Sequence, residues 1–259
     1  MIVGDKTWWA VTYGNGKFVA VGDNGNVTVS TDGINWTIPQ QVKNIDWLCI
    51  TYGNGKFVAG SGQGDIGTST VGLTWETQHL GLINTWKALV YSNGKFIVGG
   101  FLGNMSLSAD GQIWTEPTRI DSSDVWVGIT YGNERFVAVG FIGTIITSID
   151  GLTWTKPMKI EENVAGMCSI AYGNGKFVVV GADGYIVTSL DGINWMASMR
   201  VGSTRWWHIT YGNGKFIAVG DSGYITTSTD GLTWSTPVQI KDESGNVVST
   251  NLLGACVMP

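Results

Sequence analysis

The sequence predicts an all-β, six-bladed β-propeller with four antiparallel strands per blade, and three observations predict it. A six-residue block, YGNGKF, begins at Tyr13, Tyr52, Tyr172 and Tyr211, with variants YSNGKF at Tyr91 and YGNERF at Tyr131. The copies are spaced by 39, 39, 40, 41 and 39 residues, and a period near 40 marks a repeat architecture. A second block follows each copy: STDGINW (30–36), STVGLTW (69–75), SADGQIW (108–114), SIDGLTW (148–154), SLDGINW (189–195) and STDGLTW (228–234). Between the blocks, short alternating segments are separated by glycine-rich gaps, which leave no room for a helix of useful length.

The elements of one repeat follow in order. In the last one, WWHITY (206–211), KFIAVG (215–220), YITTS (224–228) and WSTPVQI (234–240) read as four strands. The first two are joined by Asn-Gly, whose residues both tolerate positive φ, so YGNGKF is a hairpin with Tyr and Phe facing each other across the strands. GNGK looks like the tail of a phosphate-binding loop, but Phe and a strand follow the Lys, and no helix N-terminus is available to face an anion. Blade 4, with Asn133-Glu134, should form a poorer turn. One blade per repeat makes residues 1–259 a single domain. The last residues, NLLGACVMP (251–259), resemble another first strand, compare NVAGMCSI (163–170), so 247–259 is read as an extra closing strand, with a tether to a partner or a truncated seventh repeat as the alternatives.

The Ser-x-Asp-Gly-x-x-Trp block resembles the Asp-box of BNR-type repeats, found in sialidases and many other propellers, although the familiar box has one more residue between Asp and Gly. The resemblance covers nearly the whole chain. It implies that the box caps the turn between the third and fourth strands. Its carboxylate would accept backbone N–H groups and its Trp would plug the blade. Blade 2 has Val71 in the Asp position, so its turn should be the weakest. The catalytic residues of sialidases are not matched. They require an arginine triad, and Arg119, Arg135, Arg200 and Arg205 occupy places that do not converge. The resemblance therefore implies a scaffold without catalysis, of the kind used in bacterial adhesion modules and phage tail proteins.

Composition removes other classes. With 15 basic and 20 acidic residues the chain lacks the basic surplus that nucleic acid requires. No apolar run is long enough to span a membrane, and a secretory signal is read as absent or already removed, so synthesis in the cytoplasm is expected, with virion or cell-surface association compatible. Cys49, Cys168 and Cys256 are too few and too dispersed for a disulfide framework or a zinc site, and His79 and His208 add no metal cluster, so no metal and no cofactor are expected. His208 sits where other copies have Ala10, Cys49, Ala88, Gly128 and Ser169, and is read as a packed histidine.

Internal repeats permit a subtraction: residues common to the copies build the blade, and those that break the template are candidates for function. Six of 13 Trp belong to the boxes, and Trp8, Trp47, Trp86, Trp126 and Trp206 hold a common place five residues before the Tyr, with Met167 in blade 5. Trp9, Trp207, Phe101, Phe141, Tyr185 and Tyr224 remain, all near the end of the blades opposite the hairpins and boxes. Closure of a ring would bring Trp8 and Trp9 towards Trp206 and Trp207, with Asp23 and Asp221 in the same loops. The predicted ligand-binding set is therefore Trp8, Trp9, Trp206, Trp207, Tyr185, Tyr224, Asp23 and Asp221. Aromatic rings with a few polar groups suit a glycan or cell-surface polymer. The alternative is a protein partner, with the chain as a scaffold or structural subunit of a larger assembly. A glycoside hydrolase is the least supported reading.

Overall fold

A computed structural model of the chain describes residues 6–81, 85–120, 124–161, 165–242 and 244–257. It contains six antiparallel sheets of four strands, each sheet built from consecutive strands in sequence order. This is the blade architecture of a six-bladed β-propeller, as the repeat predicts. The chain divides into two compact units, Met1–Trp126 with blades 1 to 3 and Val127–Pro259 with blades 4 to 6. The boundary falls at the start of the first strand of blade 4.

The first strands are Trp8–Gly14, Trp47–Gly53, Trp86–Ser92, Trp126–Gly132, Met167–Gly173 and Trp206–Gly212. Each turns into its second strand through two residues with positive φ, such as Asn15 at 48° and Gly16 at 73°, the geometry of a type I′ hairpin. Blade 4 forces Glu134 to φ 59°, the poorer turn expected there. The flanking rings meet across the strands, Tyr13 with Phe18 at 4.8 Å and Tyr91 with Phe96 at 4.5 Å. The glycine after the Tyr is required for a separate reason. A Cβ on Gly14 would lie 2.0 Å from the ring of Tyr52, and one on Gly53 would lie 2.0 Å from Tyr91, so Tyr52 and Tyr91 pack down on the preceding blade, as Tyr172 and Tyr211 do.

The second strands are largely buried on both faces and read as nearly continuous apolar runs, as covered strands do, whereas the mostly buried third strands carry Ser and Thr among their apolar residues. Trp47, Trp86, Trp126, Trp206 and Met167 are at most 1 % exposed, and Trp47, Trp86, Met167 and Trp206 fill the spaces between neighbouring blades of their units. One such Trp removes roughly 200 Å² from water, about 5 kcal/mol gross. The expectation that the box Trp plugs the blade needs correction, because those rings are half-buried. Trp36 instead lies against Phe18, ring centroids 6.3 Å apart, and donates its Nε1–H to the Gly33 carbonyl at 3.2 Å.

The box carboxylate acts as the resemblance implies. Asp32 Oδ1 accepts the N–H of Asn35 at 2.7 Å and of Ile34 at 2.8 Å, while Ser30 Oγ accepts the N–H of Gly33 at 2.8 Å. The same set recurs around Asp110, Asp150, Asp191 and Asp230. The amides of Thr153 and Leu152 hold the Asp150 carboxyl down at about 2, and those of Thr233 and Leu232 do the same for Asp230. A depressed carboxylate pKa stabilises the fold above the ordinary value near 4, and that stabilisation is lost as pH falls through about 2. Thermal midpoints are therefore expected to be level above about pH 5 and to fall between about pH 4 and 2. Asp150→Asn should lower the neutral plateau and make the acid fall shallower. A wild-type midpoint unchanged down to pH 2 would contradict this reading.

In blade 2 the Ser69 hydroxyl still accepts the N–H groups of Gly72 at 2.7 Å and Val71 at 3.2 Å, but the amides of Leu73 and Thr74 lack the carboxylate. Restoring the repeated residue is expected to stabilise: Val71→Asp by about 1 kcal/mol, as for a capping carboxylate, and Glu134→Gly by about 1 kcal/mol through relief of a left-handed side chain. Urea denaturation of the two variants measures both.

The fourth strands are shorter than expected, two residues in five blades, such as Val238–Gln239 where 234–240 was predicted. In blade 1 the pairs Ser30↔Trp36 and Val27↔Gln40 enclose one extra residue on the fourth strand, a bulge that interrupts the ladder near Pro39. Blade 2 lacks both the extra residue and the proline, and its fourth strand, Glu76–His79, pairs without interruption.

Candidate functional site

A second bulge positions the off-template aromatics. In blade 1, Trp8 pairs with Gly22 and Ala10 with Val21, which leaves Trp9 as the extra residue. Blade 6 repeats this, with Trp206↔Gly220 and His208↔Val219 on either side of Trp207. Bulges re-aim a side chain out of the strand alternation. Here they turn the residue towards the connection between second and third strands. The first residue of that connection is tied to the chain just before the first strand, Asp23 N–H to Thr7 O at 3.0 Å and Asp221 N–H to Arg205 O at 3.1 Å. Bulge residue and connection residue are thus held side by side.

The chemistry follows from which residues occupy the two places. Trp9 donates its indole N–H to Asp23 Oδ1, and Trp207 donates to Asp221 Oδ1 at 2.6 Å. The other blades place Leu48 with Gly62, Lys87 with Phe101, Val127 with Phe141 and Cys168 with Ala182. A carboxylate therefore occurs only where the bulge residue is Trp. In blade 6 the Arg205 guanidinium lies 4.8 Å above the Trp207 ring, and in blade 5 that of Arg200 lies 4.6 Å above Tyr185 and donates to its hydroxyl at 3.1 Å. Both are cation–π contacts. Tyr224 stands at the start of the third strand of blade 6, and Phe101 and Phe141 are 49 % and 42 % exposed at their connections.

Of the predicted residues, Trp9, Trp207, Asp23, Asp221, Tyr185 and Tyr224 are half-buried on this end of the blades, the first five with the contacts described and Tyr224 packed against the core of unit 2. Trp8 is half-buried, whereas Trp206 is fully buried and donates its Nε1–H to the Val201 carbonyl at 3.2 Å, so it belongs to the packing and not to the surface. Blades 1 and 6 fall in different units, and each Trp–Asp pair is complete within its own blade. His208 accepts the N–H of Ala255 at Nδ1, 3.3 Å, and desolvation pushes its pKa down to about 4, as for a packed imidazole.

Three features escaped the subtraction. Lys43, at 2.5 Å, and His79, at 3.8 Å, flank the buried carboxylate of Asp65 on the same end of unit 1. At the opposite end, the box turns expose apolar side chains, Ile113 at 79 % and Ile149 at 74 % among them. They were missed because the subtraction concerned aromatic residues alone, although other copies carry Asn or Thr at the place of Ile113 and mostly Thr at that of Ile149. Beside the carboxylate-free box of blade 2 lies an open groove of about 220 Å³ lined by Lys56, Ser69, Thr74, Trp75, Glu76 and Gln112.

No family model matches the chain, and no curated protein is similar to it in sequence. Solved structures are similar in fold. A structure described as YCF48 bound to D1 peptide aligns with a TM-score of 0.68 at 15% identity, over 89% of this chain and 80% of that one. A catalytically inactive virginiamycin B lyase from Staphylococcus aureus, with quinupristin, gives 0.78 at 14% identity, over 89% and 84%. The WD40 propeller domain of Doa1 gives 0.74 at 13%, over 91% and 83%. At these identities the likeness concerns the propeller fold alone.

Proposed function

We propose that the chain is a non-catalytic recognition module that binds a protein partner through the connection end of blades 4 to 6. The observation that carries this reading is the pair of arginine–aromatic stacks, Arg205 on Trp207 and Arg200 on Tyr185, with Tyr224 and the exposed Phe141 on the same end of one unit. Trp, Tyr and Arg are the residue types that dominate binding energy at protein interfaces, and side chains already held by intramolecular contacts lose less freedom on association. Propellers of similar fold bind a peptide in one case and belong to the WD40 class in others, which supports a polypeptide ligand. A carbohydrate ligand is the second reading, favoured by Trp9 and Asp23, since a sugar can stack on an indole while a carboxylate accepts its hydroxyls.

Affinity selection from a random peptide library tests the proposal. Selected peptides are expected to lose about tenfold or more in affinity with Trp207→Ala or Arg205→Ala, and to tolerate Ile149→Asp at the box end. The reverse pattern would move the interface to the box end. A glycan-array signal abolished by Trp9→Ala, with no peptide enriched, would replace the protein reading with the carbohydrate one.

A further inference from the structure

We propose that residues 251–257 stand as the first strand of a seventh blade against the flank of blade 6, and that their open edge receives one extended strand from a partner polypeptide. Two contacts fix the position. In blade 1 the amide of Asn24, on the connection, donates to Asp46 Oδ1 of the next blade at 2.8 Å, and the place of a Cβ on Gly14 is covered by Tyr52 of that blade. In blade 6 the amide of Ser222, the counterpart of Asn24, donates to Asn251 Oδ1 at 3.1 Å. The place of a Cβ on Gly212, the counterpart of Gly14, lies 2.6 Å from Val257. The two anchor residues are separated alike, Asp46 from Tyr52 and Asn251 from Val257, so the whole segment is in register with a first strand. Leu252 falls at the position of Trp47, and its N–H bonds the Gly220 carbonyl at 3.0 Å. Ala255 bonds His208 within the same stretch.

Every first strand of the six blades pairs with a second strand, and residues 251–257 pair with none among the described residues. Leu252 to Val257 are all half-buried, whereas the counterparts Trp47, Cys49 and Ile50 are buried. Val257 also covers less than a tyrosine would: Gly212 is half-buried, while Gly14, Gly53, Gly132 and Gly173 are buried. An unpaired strand edge is a template for another chain.

The six blades state what the occupant must look like. Opposite Tyr52 stands Phe57 and opposite Thr51 stands Val58, and these are the counterparts of Val257 and Cys256. The fitting partner is an antiparallel segment with an aromatic residue opposite Val257, followed by small and β-branched apolar residues, its charges confined to the ends. In two-residue hairpins of this register the residue two before the turn's closing glycine exchanges hydrogen bonds with the second strand, so the N–H of Cys256 faces the open edge.

The probe is a synthetic peptide copying residues 214–221 (GKFIAVGD), titrated into the full chain and followed by anisotropy and amide hydrogen exchange. In the free protein the Cys256 amide is expected to exchange quickly, and the saturating peptide should slow exchange at Gly254–Val257 by about tenfold or more. Cys256→Pro should abolish binding, and a scrambled peptide should show none. A Cys256 amide protected in the free chain as strongly as the blade strands would overturn the proposal without recourse to any variant. Absence of saturable binding, or protection that appears away from 251–257, would do the same.

Discussion

Trp86→Ala is expected to lower the unfolding free energy by about 3–5 kcal/mol, the range for deleting a fully buried Trp. Trp86 is completely buried and packs with Val58, Ile66, Phe96 and Val98 from two blades of one unit. Its main chain also takes part, since the Cys49 thiol donates to the Trp86 carbonyl at 3.6 Å. The neighbouring side chains are themselves packed in the same cluster, so the cavity term should persist. The indole N–H of Trp86 has no hydrogen-bond partner among the described residues. Trp86→Phe therefore removes an unpaired donor along with some volume and should cost less than half as much as the alanine variant. At the equivalent place in blade 6, Trp206 donates to the Val201 carbonyl. Trp206→Phe leaves that carbonyl without its partner and should cost about 1 kcal/mol more than Trp86→Phe. Urea denaturation of the three variants decides the matter, and equal costs for the two phenylalanine variants would contradict the assignment of the unpaired indole.

Gly25→Ala is expected to cost about 3 kcal/mol or more. Gly25 has φ 75°, where a Cβ is strained by about 1 kcal/mol, and that Cβ would lie 1.6 Å from the carbonyl oxygen of Lys43. The obstacle is main chain on both sides: Val42 N–H bonds the Gly25 carbonyl at 2.9 Å, and the Lys43 carbonyl accepts from Ile45 at 2.8 Å. The segment leading from blade 1 into blade 2 would have to move, taking with it the Lys43–Asp65 ion pair. Gly16→Ala provides the comparison. It has φ 73° and nothing within 4 Å of its Cβ, so only the conformational cost of about 1 kcal/mol should appear. Similar losses in the two variants would show that the close approach at Gly25 carries no energy.

The contrast between these glycines shows what a single sequence reveals. Gly16 is legible, because Asn-Gly between alternating segments demands positive φ at both residues. Gly25 recurs in every copy, as Gly64, Gly103, Gly143, Gly184 and Gly223, which marks it as part of the blade, but only the path of the next blade shows why it is indispensable. The fold was readable because one packing problem is solved six times with nearly the same residues. The bulge at Trp9 and Trp207 was not, since an extra residue inside a short strand leaves the apolar pattern almost intact. Trp207 is separated by the subtraction from Trp206, which holds the common place, and Trp206 entered the binding set only through the expected closure of the ring. The fourth strands were overestimated because one extra residue interrupts the ladder with or without a proline, and it leaves no mark in the apolar pattern. Blade 5 shows this without a proline, where Ser189↔Trp195 and Ile186↔Met199 enclose the extra residue. The groups facing Asp65 were invisible, since Lys43 and His79 converge on it only through pairing across different strands.

The central claim is that template residues build the blades while off-template residues on the connection end bind a partner. Its most direct test reverts the unit-2 residues to those that other copies carry. The variant combines Trp207→Leu and Asp221→Gly, the blade 2 pair Leu48 and Gly62, with Phe141→Ala, the residue of blade 5 at Ala182. Its affinity for library-selected peptides would be measured alongside its melting midpoint. The account predicts that the midpoint stays within about 5 °C of the parent and that affinity falls by about tenfold or more. Retained affinity in a folded variant would contradict it.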